Sequence, residues 1–375
     1  MCGSHVESFA SNRVMARAWV KTGRPLADVI DEATVEAAPQ LVAELPDGKV
    51  RCVACTHRCK IAPGKRGICQ VRYHDADSQR LRVPAGYVAA VQIDPIEKKP
   101  FHHVLPGELA LTFGMLGCDM HCGYCQNWLT SQALRDCDAG VRPHEISATE
   151  LVELALGHGA RMIVSSYNEP LITAEWAHEI FREAKAHGLR TGFVSNGSAT
   201  AEVLDYLLPV LDAYKIDLKS MEERSYRRLG GLKENVLRGM ELVHERGLWL
   251  EVVSLIVPGF NDSDAEVRAM AEAVAAVSTE IPWHVTAFHR DYRMKEHAET
   301  QVTQLTRAAQ IGREVGLSYV YAGNAPGRVG EFEHTRCAAC EAVLIERHGI
   351  QLHANRVAGE GRCPQCDTAV PGIWS

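Results

Sequence analysis

From Leu109 onward the chain alternates short apolar runs with longer stretches whose apolar residues recur at helical spacing. "LALTFGM" (Leu109 to Met115) reads as a buried strand. A helix follows at "SATELVELALGHG", where Ser147 and Glu150 stand at capping-box spacing. The alternation continues through "RMIVSSY" and a helix from Thr173 to about His187, "RTGFVSNG" and a helix around "AEVLDYLL", then "AYKIDLKS" and helices through Glu245. "LWLEVVSLIVPG" precedes the helix of "DAEVRAMAEAVAAV", and "PWHVTAF" precedes the helix of "TQLTRAAQIGREVG". A last short strand is expected at "SYVYAGN". Short apolar strands alternating with amphipathic helices predict βαβ units, hence an α/β fold on a parallel sheet. Right-handed crossovers over so many repeats predict a sheet that curls into a partial or complete (β/α) barrel, with an open doubly wound sheet as the alternative.

In either arrangement, function belongs at the carboxyl ends of the strands. The polar clusters fall there: Cys118 after the first strand, "YNEP" (Tyr167 to Pro170) after the second, "SNG" after the third, "DLK" at the end of the fourth, and His289 with Arg290 after the sixth.

Composition narrows the chemistry. The net charge of -7 announces neither a nucleic-acid surface nor an acidic tail, and no apolar run reaches the length of a membrane span. The opening "MCGSHVESFASNRVMARAWV" lacks a basic region followed by an apolar core, so it is expected to be a peripheral leader rather than a secretory signal. The thirteen cysteines matter most, because they cluster in CxxC-type steps that fit metal binding in a reducing cytoplasm better than disulfides. They sort into Cys52, Cys55, Cys59 and Cys69, then Cys118, Cys122 and Cys125, then Cys337, Cys340, Cys363 and Cys366, leaving Cys2 and Cys137 over.

A closed structural zinc site takes four protein ligands, and the central set offers three thiolates. Either His121 or a distant residue completes a zinc site, or one coordination position stays open for chemistry. The CxxxCxxC spacing in "GCDMHCGYCQNW", with Tyr124 just before the last cysteine and the whole loop after the first strand of a βα-repeat chain, resembles the signature of the radical S-adenosylmethionine (SAM) superfamily. That resemblance implies a [4Fe-4S] cluster on Cys118, Cys122 and Cys125, with SAM taking the remaining iron through its amino and carboxylate groups. It implies reductive cleavage of SAM to a 5′-deoxyadenosyl radical that abstracts hydrogen from a substrate. "YNEP" lies where the superfamily usually carries a Gly-Gly-Glu-like segment, so Glu169 is expected to accept from the SAM ammonium and Asn168 to add a hydrogen bond. The departure from Gly-Gly puts that transfer in question. Tyr124 is expected against the cofactor, Ser195 and Asn196 toward ribose or carboxylate, and Asn324 of "YAGNAPG" beside adenine. Asp217 and Lys219 share a strand face and either hold ribose and carboxylate or simply pair with each other. His284 and His289 read as ordinary polar residues.

The ordered set "CVACTHRCKIAPGKRGICQVR", "DPIEKKPFHH", "GCDMHCGYCQNW", "YNEP", "YAGNAPG" and "CAAC…GRCPQCDTAVPGIW" is similar to the AmmeMemoRadiSam-system radical SAM enzymes, relatives of pyruvate formate-lyase activating enzymes. This implies an activase-like enzyme acting on a protein or peptide, a reductant such as flavodoxin or ferredoxin, and association with the products of the other AmmeMemoRadiSam families. A small-molecule or RNA substrate, or a non-enzymatic iron–sulfur or zinc scaffold, are the competing readings. The C-terminal CxxC pairs match a zinc ribbon that clamps the tail, with a rubredoxin-like iron site or an auxiliary cluster as the alternative. The N-terminal four suit zinc or a second cluster, with zinc preferred. "DPIEKKP" is expected to be a solvated linker, or else a lid over the barrel mouth with Lys98 and Lys99 meeting an acidic substrate. The resulting domains are a leader at 1–40, a four-cysteine metal-binding segment and linker at 41–105, a barrel at 106–330 and a zinc-ribbon-like tail at 331–375.

Overall fold

The computed structural model describes residues 25–375. Its centre is an eight-stranded sheet. The strands are β1 (Ala90–Pro95), β2 (Leu109–Gly114), β3 (Ala160–Ser165), β4 (Arg190–Ser195), β5 (Ala213–Asp217), β6 (Trp249–Ile256), β7 (Trp283–Ala287) and β8 (Val320–Gly323). They lie side by side in chain order, parallel from β2 to β8, with β1 antiparallel on the β2 edge. A doubly wound sheet needs a reversal of strand order, and this sheet has none. The two edge strands are not paired with each other, so the sheet stays open.

Side chains alternate across this sheet because successive strand residues point to opposite faces. Leu111, Phe113, Ile163, Phe193, Ile216, Val252 and Val285 pack in the main core with the crossover helices, including Ala148–Gly157, Ala174–Ala186, Asp264–Val277 and Val302–Val315. The first of these helices starts on the expected capping box, with Ser147 and Glu150 bonded reciprocally. On the opposite face Ala110, Met162, Val164 and Ala213 meet Ile96, Phe101, Val104 and Leu105 from the segment between β1 and β2.

That segment corrects an expectation. "DPIEKKP" is neither a solvated linker nor a lid at the carboxyl ends. Because β1 runs antiparallel, its last residue Pro95 pairs with Leu109, the first of β2, and the chain emerges at the amino ends. There it plugs the sheet. The backbone N–H groups of His102 and His103 donate to Glu251 at 3.0 and 2.9 Å, and Lys215 donates to the carbonyl of Pro100. Lys98 and Lys99 both turn to Asp94, at 2.9 and 3.3 Å.

Part of the expected leader is also structured. Residues 1–24, with Cys2, lie outside the described residues. Leu26–Asp31 is a short helix that buries Val29 and Ile30, and Thr34–Glu36 pairs with Leu81–Pro84. Such short elements carry too few positions to show a period. Two small antiparallel sheets build this N-terminal region, which docks on the helix Ala174–Ala186 through a buried, two-pronged pair of Arg72 and Glu175 at 2.9 and 2.6 Å. At the other end of the chain, Thr335–Arg336, Val343–His348 and Gln351–Asn355 form a three-stranded antiparallel sheet. Arg347 from this sheet reaches the plug, donating to Glu97 at 3.4 Å and to the carbonyl of His102 at 2.8 Å.

Candidate metal and cofactor site

The carboxyl ends of β2 to β5 converge as the chain direction requires. The cysteine loop leaves β2 at Gly114, a position that admits no side chain: a Cβ would lie 2.6 Å from the carbonyl oxygen of Ser166 and 2.7 Å from Cβ of Tyr167. The "YNEP" turn therefore crosses directly over the end of β2. Tyr167 takes a positive φ of 67°, costly for a bulky residue and sustained here by its surroundings. Asn168 locks the crossing, its Oδ1 accepting from the N–H of Met115 at 2.9 Å.

Glu169 sits buried at the centre. Its Oε1 accepts from the N–H of Leu171 at 3.1 Å and from the Ser195 hydroxyl at 2.7 Å, and its Oε2 accepts from the N–H of Asn196 at 2.7 Å. Ser195 and Asn196 thus face the site by holding this carboxylate. A carboxylate offers about four acceptor positions, and three are used, so one remains on Oε2. Asn196 turns its side-chain amide to Asp119, whose Oδ1 accepts at 2.6 Å.

Asp119 is the residue that sequence reasoning missed. It is fully buried, follows Cys118 directly, and has an Oδ2 with no hydrogen-bond partner, 3.5 Å from Nε2 of His57. Its position beside the first cysteine was the only available signal, since an acid in a loop carries no period. Burial, and then the charge of Asp119, push the carboxyl of Glu169 up to about 8.

The thiols respond to burial in the same way. Burial pushes Cys118 well above the ordinary range and Cys122 up to about 12, while Cys125 is raised with its partner hydroxyl on Ser131 opposing. Burial also works against the Lys219 ammonium, but Asp217, Cys122 and Tyr124 around it prevail and hold its pKa well above normal. Lys219 and Asp217 pair at 3.2 Å, with Asp217 still partly open. Tyr124 is buried edge-on to Phe260, centroids 5.5 Å apart. Asn324 and His289 make contacts of their own. Asn324, at a φ of 62° on the turn after β8, donates to the carbonyl of Ala287, and His289 meets only the carbonyl of its neighbour Arg290. His284 lies inside the plug network, 2.6 Å from Glu251.

The residues can be tested against the metals proposed for them. Tetrahedral zinc about 2.3 Å from each thiolate places sulfurs about 3.8 Å apart. Cys337 and Cys366 lie 3.5 Å apart, Cys340 and Cys363 3.6 Å, and all four converge within 4.8 Å. The central three do not converge in that way. A cuboidal cluster binds each thiolate on a separate iron and does not ask for that convergence. Glu169, buried beside Asp119 and with one acceptor position unused, fits a cationic ligand.

The model of the Radical SAM superfamily matches residues 113–274, from the end of β2 to the helix after β6. An uncharacterized protein of Methanocaldococcus jannaschii is 35% identical over 306 residues, covering 81% of this chain and 90% of its own. The pyruvate formate-lyase 1-activating enzyme of Escherichia coli is 25% identical over 230 residues, covering 58% of this chain and 90% of its own. Among solved structures, a radical SAM methyltransferase from Sphaerobacter thermophilus covers 78% of both chains at 14% identity and a TM-score of 0.45. The family match thus begins on the strand that delivers the three cysteines and runs through every strand end that meets them: the chain belongs to the radical SAM superfamily, among the homologues of pyruvate formate-lyase activating enzymes.

Proposed function

We propose that the chain forms a partial (β/α) barrel in which Cys118, Cys122 and Cys125 hold a [4Fe-4S] cluster, and that it removes hydrogen from a protein or peptide substrate. When bound, the cluster and SAM supply one-electron cleavage of the sulfonium to the 5′-deoxyadenosyl radical that takes the hydrogen. The observation that carries the reading is the buried carboxylate pair at the strand ends. Burial and the charge of Asp119 raise the need of Glu169 for a cation, and Glu169 keeps an acceptor free for an ammonium. Ser195 and the N–H groups of Leu171 and Asn196 fix the orientation of Glu169, leaving a defined direction for that contact. Asp217 offers an acceptor to ribose hydroxyls, Lys219 a donor to a carboxylate, and Tyr124 an apolar wall; Asn324 stands at the rim for adenine. Asn168 serves by holding the turn rather than by touching the ligand.

A protein substrate is supported by the relative whose name states that it activates an enzyme, and the ordered motifs support membership in the AmmeMemoRadiSam system. A one-electron donor of the flavodoxin or ferredoxin class follows from the chemistry. Zinc on the C-terminal four is supported by their spacing, and a cytoplasmic setting by the number of free thiols in ligand sets. Among the described residues no helix is long and apolar enough to cross a membrane.

The test is anaerobic reconstitution of the wild type and of Cys122→Ala, followed by reduction with dithionite in the presence of SAM. The wild type should yield 5′-deoxyadenosine and methionine, and the variant neither. Full cleavage by Cys122→Ala would remove the reading.

A further inference from the structure

The N-terminal cysteines remain. Cys52, Cys55 and Cys69 are buried and Cys59 is half-buried, in a region with almost no helix. Their spacing alone leans to zinc, but their geometry does not. No three of the four sulfurs fall within 4.8 Å of one another, whereas the C-terminal four do. A tetrahedral zinc needs all four about 3.8 Å apart, a convergence that the C-terminal four show and the N-terminal four do not. The central trio lacks it too.

The position of the set is as informative as its spacing. The loop that carries it is stitched onto the strand ends of the proposed active site. The N–H of Thr56 donates to the carbonyl of Ser198 at 3.0 Å, and the hydroxyl of Thr200 donates to the carbonyl of Val53 at 2.6 Å. Arg135 spans the two cysteine loops, donating to the carbonyls of both Met120 and Ile68. Between Cys55 and Cys59 stands His57, and its Nε2 faces the unpartnered Oδ2 of Asp119, the neighbour of Cys118. Both atoms are buried, and neither has another hydrogen-bond partner.

We propose that Cys52, Cys55, Cys59 and Cys69 hold a second iron–sulfur cluster, and that the His57–Asp119 contact is the junction between it and the cluster on Cys118, Cys122 and Cys125. The part concerning the junction rests on the central reading; the part concerning the metal does not. All four coordination positions of the second cluster are filled by protein, so it binds no substrate. It is a redox centre set one side-chain pair away from the first.

The full-length chain is reconstituted anaerobically with iron and sulfide, with zinc present, as wild type, as the triple variant Cys118→Ala/Cys122→Ala/Cys125→Ala, and as Cys55→Ser/Cys69→Ser. Metal content and electron paramagnetic resonance of the dithionite-reduced proteins are read. The triple variant should keep roughly half of the wild-type iron and sulfide and a reduced-cluster signal, with zinc confined to one ion per chain. The wild-type spectrum should show broadening from two interacting spins that the sum of the two variant spectra does not reproduce. A triple variant holding two zinc ions and no iron overturns the metal assignment. A wild-type spectrum equal to the sum of the variants overturns the junction. Failure of the central reading is separately visible, as an iron-free Cys55→Ser/Cys69→Ser protein beside an iron-loaded triple variant. Should the double variant not fold, Cys59→Ser, at the least buried ligand, is placed in the triple background. An altered line shape or lost iron supports the proposal, and an unchanged signal overturns it.

Discussion

At the scale of single residues, Glu169 carries two duties that the sequence could not separate. It ties the turn after β3 to the end of β4, and it presents one free acceptor beside Asp119. Removing the partner of a buried charged contact typically costs about 2–5 kcal/mol, or roughly 30-fold to several thousand-fold in affinity. Glu169→Gln, which keeps the volume and removes the charge, should therefore retain its iron and sulfide while SAM affinity falls at least about tenfold. Equilibrium binding to the reconstituted variant measures it, and unchanged affinity would leave Glu169 as a structural tie. Gly114→Ala tests the crossing of the two loops. Its new methyl meets the backbone carbonyl oxygen of Ser166 at 2.6 Å, which cannot swing aside as a flexible side chain could. The expected loss is about 1–3 kcal/mol of stability together with weaker SAM binding. A thermal midpoint equal to that of the wild type would show that the turn gives way. Tyr167, with its positive φ, was legible only as part of a motif; the strain belongs to the crossing, which involves residues far apart in sequence.

At the scale of elements, the plug between β1 and β2 and the C-terminal sheet hold each other. Arg347 and Glu97 are both fully buried, and their side chains come from positions 250 residues apart. Burial raises the carboxyl of Glu97, with Arg347 opposing. Breaking such a buried pair from one side leaves an uncompensated charge and typically costs about 3–5 kcal/mol. Arg347→Ala should lower the thermal midpoint by several degrees, while iron content is unchanged because the plug lies at the amino ends of the strands. Calorimetry of the two proteins decides it, and coincident transitions would mean that the pair contributes nothing. The C-terminal sheet with its four cysteines should behave likewise. Cys363→Ser removes one ligand of a convergent set, so it should release zinc and reduce stability more than SAM cleavage. Loss of cleavage at unchanged stability would contradict a structural role.

At the scale of the whole molecule, the amino-end network makes stability depend on acid. Burial alone would push Glu251 up, but His284, His103 and Lys215 outweigh it and hold the carboxyl at about 2. Burial, then Lys215, lowers His284 to about 4. Both folded values lie below the unfolded ones, so between them the unfolded chain binds more protons. Stability contributed by Glu251 is present above its unfolded value of 4.5 and is lost as pH falls toward 2. That tied to neutral His284 is lost as pH falls from 6.5 toward 4. Glu251→Gln should give a lower urea midpoint at neutral pH and a shallower decline across the acid range. Parallel declines for the two proteins would show that other groups set the acid limb.

The sequence by itself determined what is periodic or closely spaced. The strand and helix pattern from Leu109 to Gly323 fixed the parallel order, and chain direction alone then sent Cys118, Glu169, Ser195 and Asp217 to one end of the sheet. The CxxxCxxC spacing singled out the central three as candidate ligands because ligands from one loop must be close in sequence. Tertiary structure decided whatever depends on partners far away along the chain. It placed β1 antiparallel and so moved "DPIEKKP" from the mouth to the base. It set Asp119 against His57 and Glu169, and it drew the C-terminal four sulfurs together while leaving the N-terminal four less convergent. Those distances follow from how whole elements pack, and packing across long separations leaves no local period to read.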